Sequence, residues 1–365
     1  MVRVLLVKLR ANSLQQFVNW LTTSKKEVKV DERVYQCSFL TQGIDSKIKL
    51  IACMIINFTR FIRELPVLGK KYGSYDAVIL NGHLVAIPYL LAIKLCAFFC
   101  RKQKIIVLHF FLHGLGERKI IKKMLAFILN NDAYRLIVQS VYEEKFYNSF
   151  LRRAHIDFFP YCQGDIKFKD ILQPTQSYIF SGGYTNRDYA SLVNAAEKIQ
   201  APFVIIKSRL NQALGKIPNN VDVLEDVGHD IFYSYVKHAS IVIIPLKNKT
   251  GSSGQMLALA AMFMKKPVIY PADSTVSHYF VDGVSGIAYE MGNVADLRSK
   301  ITQLVSNNEL CFRLGQCAYK TYREKYHNVR YFEYLSQILN IHSTSNQITK
   351  AGGDDVRDSE GDKQR

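Results

Sequence analysis

Short, continuous apolar runs recur along the chain, separated by stretches of helical period. In the first half they are Val2–Val7, Ala77–Leu80, Ile105–Leu108 and Leu136–Gln139. In the second half they are Tyr178–Ser181, Phe203–Ile206, Val221–Leu224, Ile241–Pro245 and Pro267–Tyr270. Unbroken runs, rather than alternation, mark strands buried on both faces of a parallel sheet. Helical stretches fit between them, among them Tyr189–Lys198, His229–His238 and Gln255–Met264. The βαβ rhythm appears twice and predicts an α/β protein of two doubly wound, Rossmann-like domains. The break falls in IDFFPYCQGDIKFKDILQP, a polar stretch carrying Pro160, Gly164 and Pro174. This gives a first domain over 1–160 and a second over 161–341. Residues 342–365 lack aromatics and large apolar clusters and read as disordered.

Two such domains leave a cleft between the carboxyl ends of their strands, where ligands bind. The seven cysteines form no CxxC pair, which reads as scattered reduced thiols. The opening MVRVLLVKLRANS has too short an apolar part for a signal peptide and reads as a first buried strand. A net charge of +17 implies an anionic partner: nucleic acid, a membrane surface or an anionic small substrate. No zinc finger, RNP-type motif or basic heptad region is present, so nucleic acid is not an expected partner. The segment HLVAIPYLLAIKLCAFFC is interrupted by Pro88 and Lys94 and reads as a buried helix rather than a membrane span. Glu117 to Leu129 has helical period, with Ile120, Ile121, Met124, Leu125 and Ile128 on one apolar face. Lys119, Lys122 and Lys123 lie at its polar edge. Such a helix suits either an anionic bilayer surface or an ordinary domain exterior.

Two loops carry candidate chemistry. The run YIFSGGYTNRDYASL takes a strand through Gly182 and Gly183 into a helix, with Arg187 in the turn. The run KNKTGSSGQMLALAAMFMKKPVIYP repeats the plan, with Gly251, Ser252, Ser253, Gly254 and Gln255 opening a helix beside Lys247 and Lys249. Glycines admit a close ligand, and a helix N-terminus offers free N–H groups and a positive dipole end. Ordinary βα turns, the second with a serine N-cap, are the plainer alternative. Two such loops in one sheet suggest a diphosphate held between helix N-termini.

The ordered segments SGGYTNRDYASLVNAA, NVDVLEDV, YVKHASIVIIPL, GSSGQMLALAAMFMKKPVI and VSHYFVDGVSGIAY resemble family 4-type glycosyltransferases of the GT-B fold, most strongly over Tyr178–Leu339. The resemblance implies a nucleotide-sugar donor in the second domain. Arg187 would hold the diphosphate, with Lys207 or Arg209 as a second cation and Gly251–Gln255 wrapping phosphate and sugar. His109 would lie beside the reacting sugar, with His113 as its rival. It also implies retention of anomeric configuration and no metal or other cofactor. The acceptor would bind the first domain, whose apolar and lysine-rich surface suits a glycan lipid-linked at the cytoplasmic face of a membrane, in polysaccharide or lipopolysaccharide assembly. The sequence departs from the pattern in four places. Ala260 stands before Ala261-Met262 where an acid is usual, and Ser252 stands eight residues earlier. Lys265 replaces a glycine, and KLRANS is glycine-free. These departures keep a second reading open: a non-catalytic relative serving as a binding or scaffold subunit.

Overall fold

The computed structural model describes residues 2–8, 14–24, 28–34, 52–63, 75–95, 104–110, 118–209, 211–249 and 252–340. The tail over 342–365 lies outside them. Among the described residues two six-stranded sheets carry the molecule, each wholly parallel. The first contains β1 (Val2–Lys8), β2 (Val28–Val34), β3 (Ala77–Asn81), β4 (Lys104–Leu108), β5 (Tyr134–Val138) and β6 (His155–Phe158), in the order β2-β1-β3-β4-β5-β6. The second contains β7 (Ile179–Gly182), β8 (Phe203–Lys207), β9 (Val221–Glu225), β10 (Ile241–Ile243), β11 (Val268–Pro271) and β12 (Ile287–Tyr289), in the order β12-β11-β10-β7-β8-β9. Both are doubly wound. Strand order reverses between β1 and β3 in one and between β7 and β10 in the other, and ligands bind at such switch points.

The apolar runs read from the sequence all form strands, shifted by a residue or two. β2, β6 and β12 are additional. The strand β2 reads VKVDERV, half-exposed at a sheet edge, so polar residues break its apolar pattern. The described part of the greasy segment forms helix α3 (His83–Leu95), which follows α1 (Gln15–Ser24) and α2 (52–63), while residues 96–100 lie outside the described residues. The α3 helix is buried along most of its length beneath the first sheet. Among the described residues no helix is long and apolar enough to cross a membrane.

Helix α4 (Lys119–Leu129) divides its apolar residues differently from the expected single face. Leu125, Ile128 and Leu129 are buried, whereas Ile120, Met124 and Phe127 are 79%, 51% and 53% exposed. The remaining helices are α5 (Val141–Asn148), α6 (Tyr189–Ala196), α7 (His229–His238), α8 (Gln255–Phe263), α9 (Val294–Val305), α10 (Asn308–Thr321) and α11 (Asn328–Ile338). A π-turn at Tyr322–Tyr326 carries the chain out of the second domain, and α11 packs on the first. There Tyr331, Phe332, Leu335 and Ile338 share a core with Phe17, Leu21 and β1. The two crossings are stitched together: Gln163 donates its N–H to the Tyr326 carbonyl at 3.1 Å, and the Tyr322 hydroxyl donates to the Gln163 carbonyl at 2.8 Å.

Lys265 adopts φ 56°, the left-handed conformation that favours glycine. Its carbonyl presses against α10 at Gly315, where an added Cβ would lie 2.1 Å from the Lys265 oxygen. Because the obstacle is backbone, Gly315→Ala is expected to lower stability by about 1–3 kcal/mol, the usual range for overpacking, in urea denaturation.

Candidate functional site

The exits of β7 and β10, at the switch point of the second sheet, form one structure. After β7 the chain turns through Gly183 at φ 115°. Arg187 folds beneath that turn, its Nε donating to the Gly182 carbonyl at 3.0 Å and its Nη1 to the Thr185 carbonyl at 2.7 Å. A Cβ at Gly183 would meet Arg187 Nη2 at 2.4 Å, so the glycine makes room for the guanidinium. Asn186, also left-handed, donates to the Asn248 carbonyl at 2.8 Å and to Ser253 Oγ at 3.1 Å. The two glycine-bearing loops expected from the sequence are therefore joined. Arg187 is buried and already braces its own turn, which the sequence does not reveal.

The loop after β10 leads into α8 through Gly254 at φ 85°. The serine N-cap of the plainer alternative is not made: Gly254 occupies the N-cap position without a side-chain bond. A Cβ on Gly254 would lie 2.9 Å from both Ile244 and Val276, so glycine is required by packing as well as by φ. The first-turn N–H groups of α8 have no intrahelical acceptors and form the N-terminal donor set. Ser253 is buried, its carbonyl accepting from Thr275 Oγ1 at 3.0 Å. Gly251 and His113 lie outside the described residues.

The cations differ in their engagement. Lys207, at the end of β8, is buried and pairs with Glu225 on β9 at 2.6 Å. Arg209 is 78% exposed and reaches Asp226 at 3.5 Å. Lys247 donates to Gln212 at 2.6 Å and Lys249 pairs with Asp273 at 2.7 Å. Ala260 is fully buried in the apolar α8, where an ionised acid would have no partner of its own on the helix.

His109 follows β4 on the first domain, with φ 52°. Strained backbone of this kind concentrates at functional positions. Burial pushes the imidazole down to about 4, so it is neutral near pH 7. Gln139 Nε2 lies 2.5 Å from His109 Nδ1. An amide nitrogen only donates, so Nδ1 accepts and the ring proton sits on Nε2. The ring lines a cavity of about 640 Å³ between the domains, with Asn81, Gln139, Tyr161, His229 and Asn328 among its other walls. Arg187, Lys207 and Ser252 do not line that cavity. Gln139 links the two regions, because its backbone carbonyl accepts from Gln255 Nε2 at 2.9 Å.

Glu143 was not singled out by sequence. In the first turn of α5, its Oε2 accepts from Ser252 Oγ at 3.0 Å across the domain seam. The pattern Ser140-Val141-Tyr142-Glu143 has capping-box spacing, whose ordinary meaning is a helix start. Ser140 does cap α5, accepting from the Tyr142 N–H at 3.1 Å, while Glu143 reaches past it to the Gln139 N–H at 3.2 Å. Burial pushes the Glu143 carboxyl up from 4.5 to about 7, against the two hydrogen bonds it accepts.

The comparisons with known proteins bear on this arrangement. The family model of glycosyl transferases group 1 matches residues 208–321. An uncharacterized glycosyltransferase of Methanocaldococcus jannaschii is 27% identical over 158 residues, covering 40% of this chain and 44% of that one. The match thus spans less than half the length of that relative. Among solved structures, sucrose-phosphate synthase from Thermosynechococcus elongatus aligns with TM-score 0.69 at 13% identity, over 93% of this chain and 98% of that one. A glycosyltransferase from Rickettsia africae gives 0.66 at 12%, over 94% and 99%. Anabaena HepE, in complex with UDP, gives 0.62 at 9%, over 93% and 100%.

A raised carboxyl favours the protonated form in the folded state. Stability is therefore expected to fall as pH rises from about 4.5 to about 7, and to stay lower above that. Glu143→Gln should remove this fall, leaving the variant more stable than wild type at pH 8 and little changed at pH 5, as read by urea denaturation at both pH values. The chain has the GT-B fold seen in glycosyltransferases, and within it residues 208–321 match the model of glycosyl transferases group 1.

Proposed function

We propose that the protein transfers a sugar from a nucleotide-sugar donor, bound at the second domain, to a glycan acceptor held in the cleft. The observation that carries this reading is the joined pair of loops after β7 and β10, sited at the switch point and linked through Gln255 and Gln139 to His109 across the seam. Breaking the bond between anomeric carbon and diphosphate builds negative charge on the leaving phosphate. Preorganised donors stabilise such charge without reorganising during reaction. Here these would be the α8 N-terminus, Arg187 and Lys207. Lys207 has three N–H donors, and Glu225 engages one, leaving donors for a phosphate. The neutral His109, with its proton on Nε2, is suited to donate to a sugar hydroxyl or ring substituent. Retention of configuration, without a metal or covalent nucleophile on the protein, belongs to this reading through the family resemblance.

A lipid-linked acceptor, and peripheral contact with an anionic cytoplasmic membrane surface, suit the first domain. Over residues 1–160, Lys and Arg number 25 against 11 Asp and Glu. Ile120, Met124 and Phe127 form one exposed stripe on α4, with Lys94 lying over the Phe127 ring at 4.7 Å. Apolar anchors beside lysines match an anionic interface. Polysaccharide or lipopolysaccharide assembly would follow from such an acceptor.

The alternative, a non-catalytic scaffold, draws on the bonds that Arg187 already makes and on Ala260. A thermal-shift panel of UDP, GDP, ADP, CMP and their sugar conjugates separates the two. A transferase is expected to show a raised midpoint with one nucleoside diphosphate, lost in Gly183→Ala, which displaces Arg187. No shift at millimolar ligand would favour the scaffold. Separately, co-sedimentation with vesicles containing phosphatidylglycerol is expected at low salt, weakened in the double variant Met124→Ser, Phe127→Ser. Equal pelleting with these anionic vesicles and with none would remove the membrane contact.

A further inference from the structure

Glu143 belongs to the first domain, yet its carboxylate touches the loop of the second. Both of its recorded hydrogen bonds fall on Oε2, from Ser252 Oγ and from the Gln139 N–H. Among the described residues no cation pairs with it. Across the seam, Lys249 pairs with Asp273, which also takes the Tyr142 hydroxyl. Behind Gln139, His109 is neutral. Next on the helix, Glu144 accepts from the Phe158 N–H at 3.3 Å. A desolvated carboxylate with no cation is unfavourable, and capping does not require it, since Ser140 already caps α5. The stretch Ser252–Phe263 contains no acid of its own. Glu143 is therefore the carboxylate in hydrogen-bond contact with that stretch, and it arrives from the opposite side of the cleft.

We infer that Glu143 is a sugar-reading residue supplied across the seam: when a nucleotide sugar occupies the loop, its carboxylate exchanges the Ser252 hydroxyl for a hydroxyl of the donor sugar. This rests on the reading of that loop as the donor site. The exchange replaces one hydroxyl donor by another, so the carboxylate stays satisfied in both states. It also makes sugar recognition depend on the closed cleft, because the nucleotide is held by one domain and the sugar is read by the other.

The test is calorimetric titration of wild type and Glu143→Gln with UDP, GDP and ADP, and with UDP-glucose, GDP-mannose and ADP-glucose, at pH 6 and pH 8. The variant is expected to bind the free nucleotide as wild type does. At pH 8 it should bind the corresponding sugar conjugate about tenfold or more weakly, the effect of losing one hydrogen bond to a charged acceptor. In wild type the preference for conjugate over free nucleotide should grow from pH 6 to pH 8, as the carboxylate forms; in the variant it should not. Equal loss for free nucleotide and conjugate would reduce Glu143 to a domain latch and overturn the inference, as would no loss for either. Wild type that binds none of the six would overturn the donor-site reading itself, and this inference with it. The thermal midpoint of the unliganded variant at pH 8, expected at or above that of wild type, shows that the variant is folded.

Discussion

Gln139 uses three of its groups to hold three different parts of the cleft together. Its side-chain amide donates to His109, its backbone N–H donates to Glu143, and its carbonyl accepts from Gln255 on α8. One residue beyond β5 therefore sets the tautomer of the histidine, the direction of the acid and the approach of the second domain. Buried networks of this kind are strong when complete and poor when one member is missing. The relation between the exit of β5 and the switch point of the second sheet is held by these bonds, together with Tyr142 against Asp273 and Ser252 against Glu143.

The turns at Gly183 and Gly254 are constrained for a different reason. Gly183 and Gly254 sit at positive φ with side chains pressed against the space a Cβ would fill. Asn186 then ties one loop to the other. In the proposed donor site a phosphate would meet donors that are already placed, so little ordering would be left for binding to bring about. Burial of Arg187 and Lys207 works in the same direction, since both cations are held by carbonyls or by Glu225 rather than free to sample rotamers.

Much of this fold is legible in the sequence because strands buried on both faces leave unbroken apolar runs. The runs in β3, β4, β7 and β8 gave themselves away in this manner. Strand β2 did not, since an edge position tolerates Lys29, Asp31, Glu32 and Arg33. Nor could three residues, Ile287–Tyr289, announce β12 by pattern. On α4 the period was visible but the partner was not. Periodicity says that Ile120 and Leu125 are apolar, and only packing decides that one faces out and the other in. At the site, residue types in the loops were readable, whereas their engagement was not. That Arg187 braces Gly182, that Lys207 meets Glu225, and that Glu143 crosses to Ser252 are all pairings between strands or domains distant in sequence.

The return of α11 to the first domain has a consequence for synthesis. Phe17, Leu21 and β1 emerge early from the ribosome, but Tyr331, Phe332 and Leu335, which cover them, come some three hundred residues later. Domains usually fold in order as they are made. Here the earlier domain has an open apolar face until the later one is nearly complete, and its core closes only when the chain has passed twice across the seam. A nascent chain arrested before Asn328 would present that face to chaperones, and the two halves would mature as one unit rather than in turn.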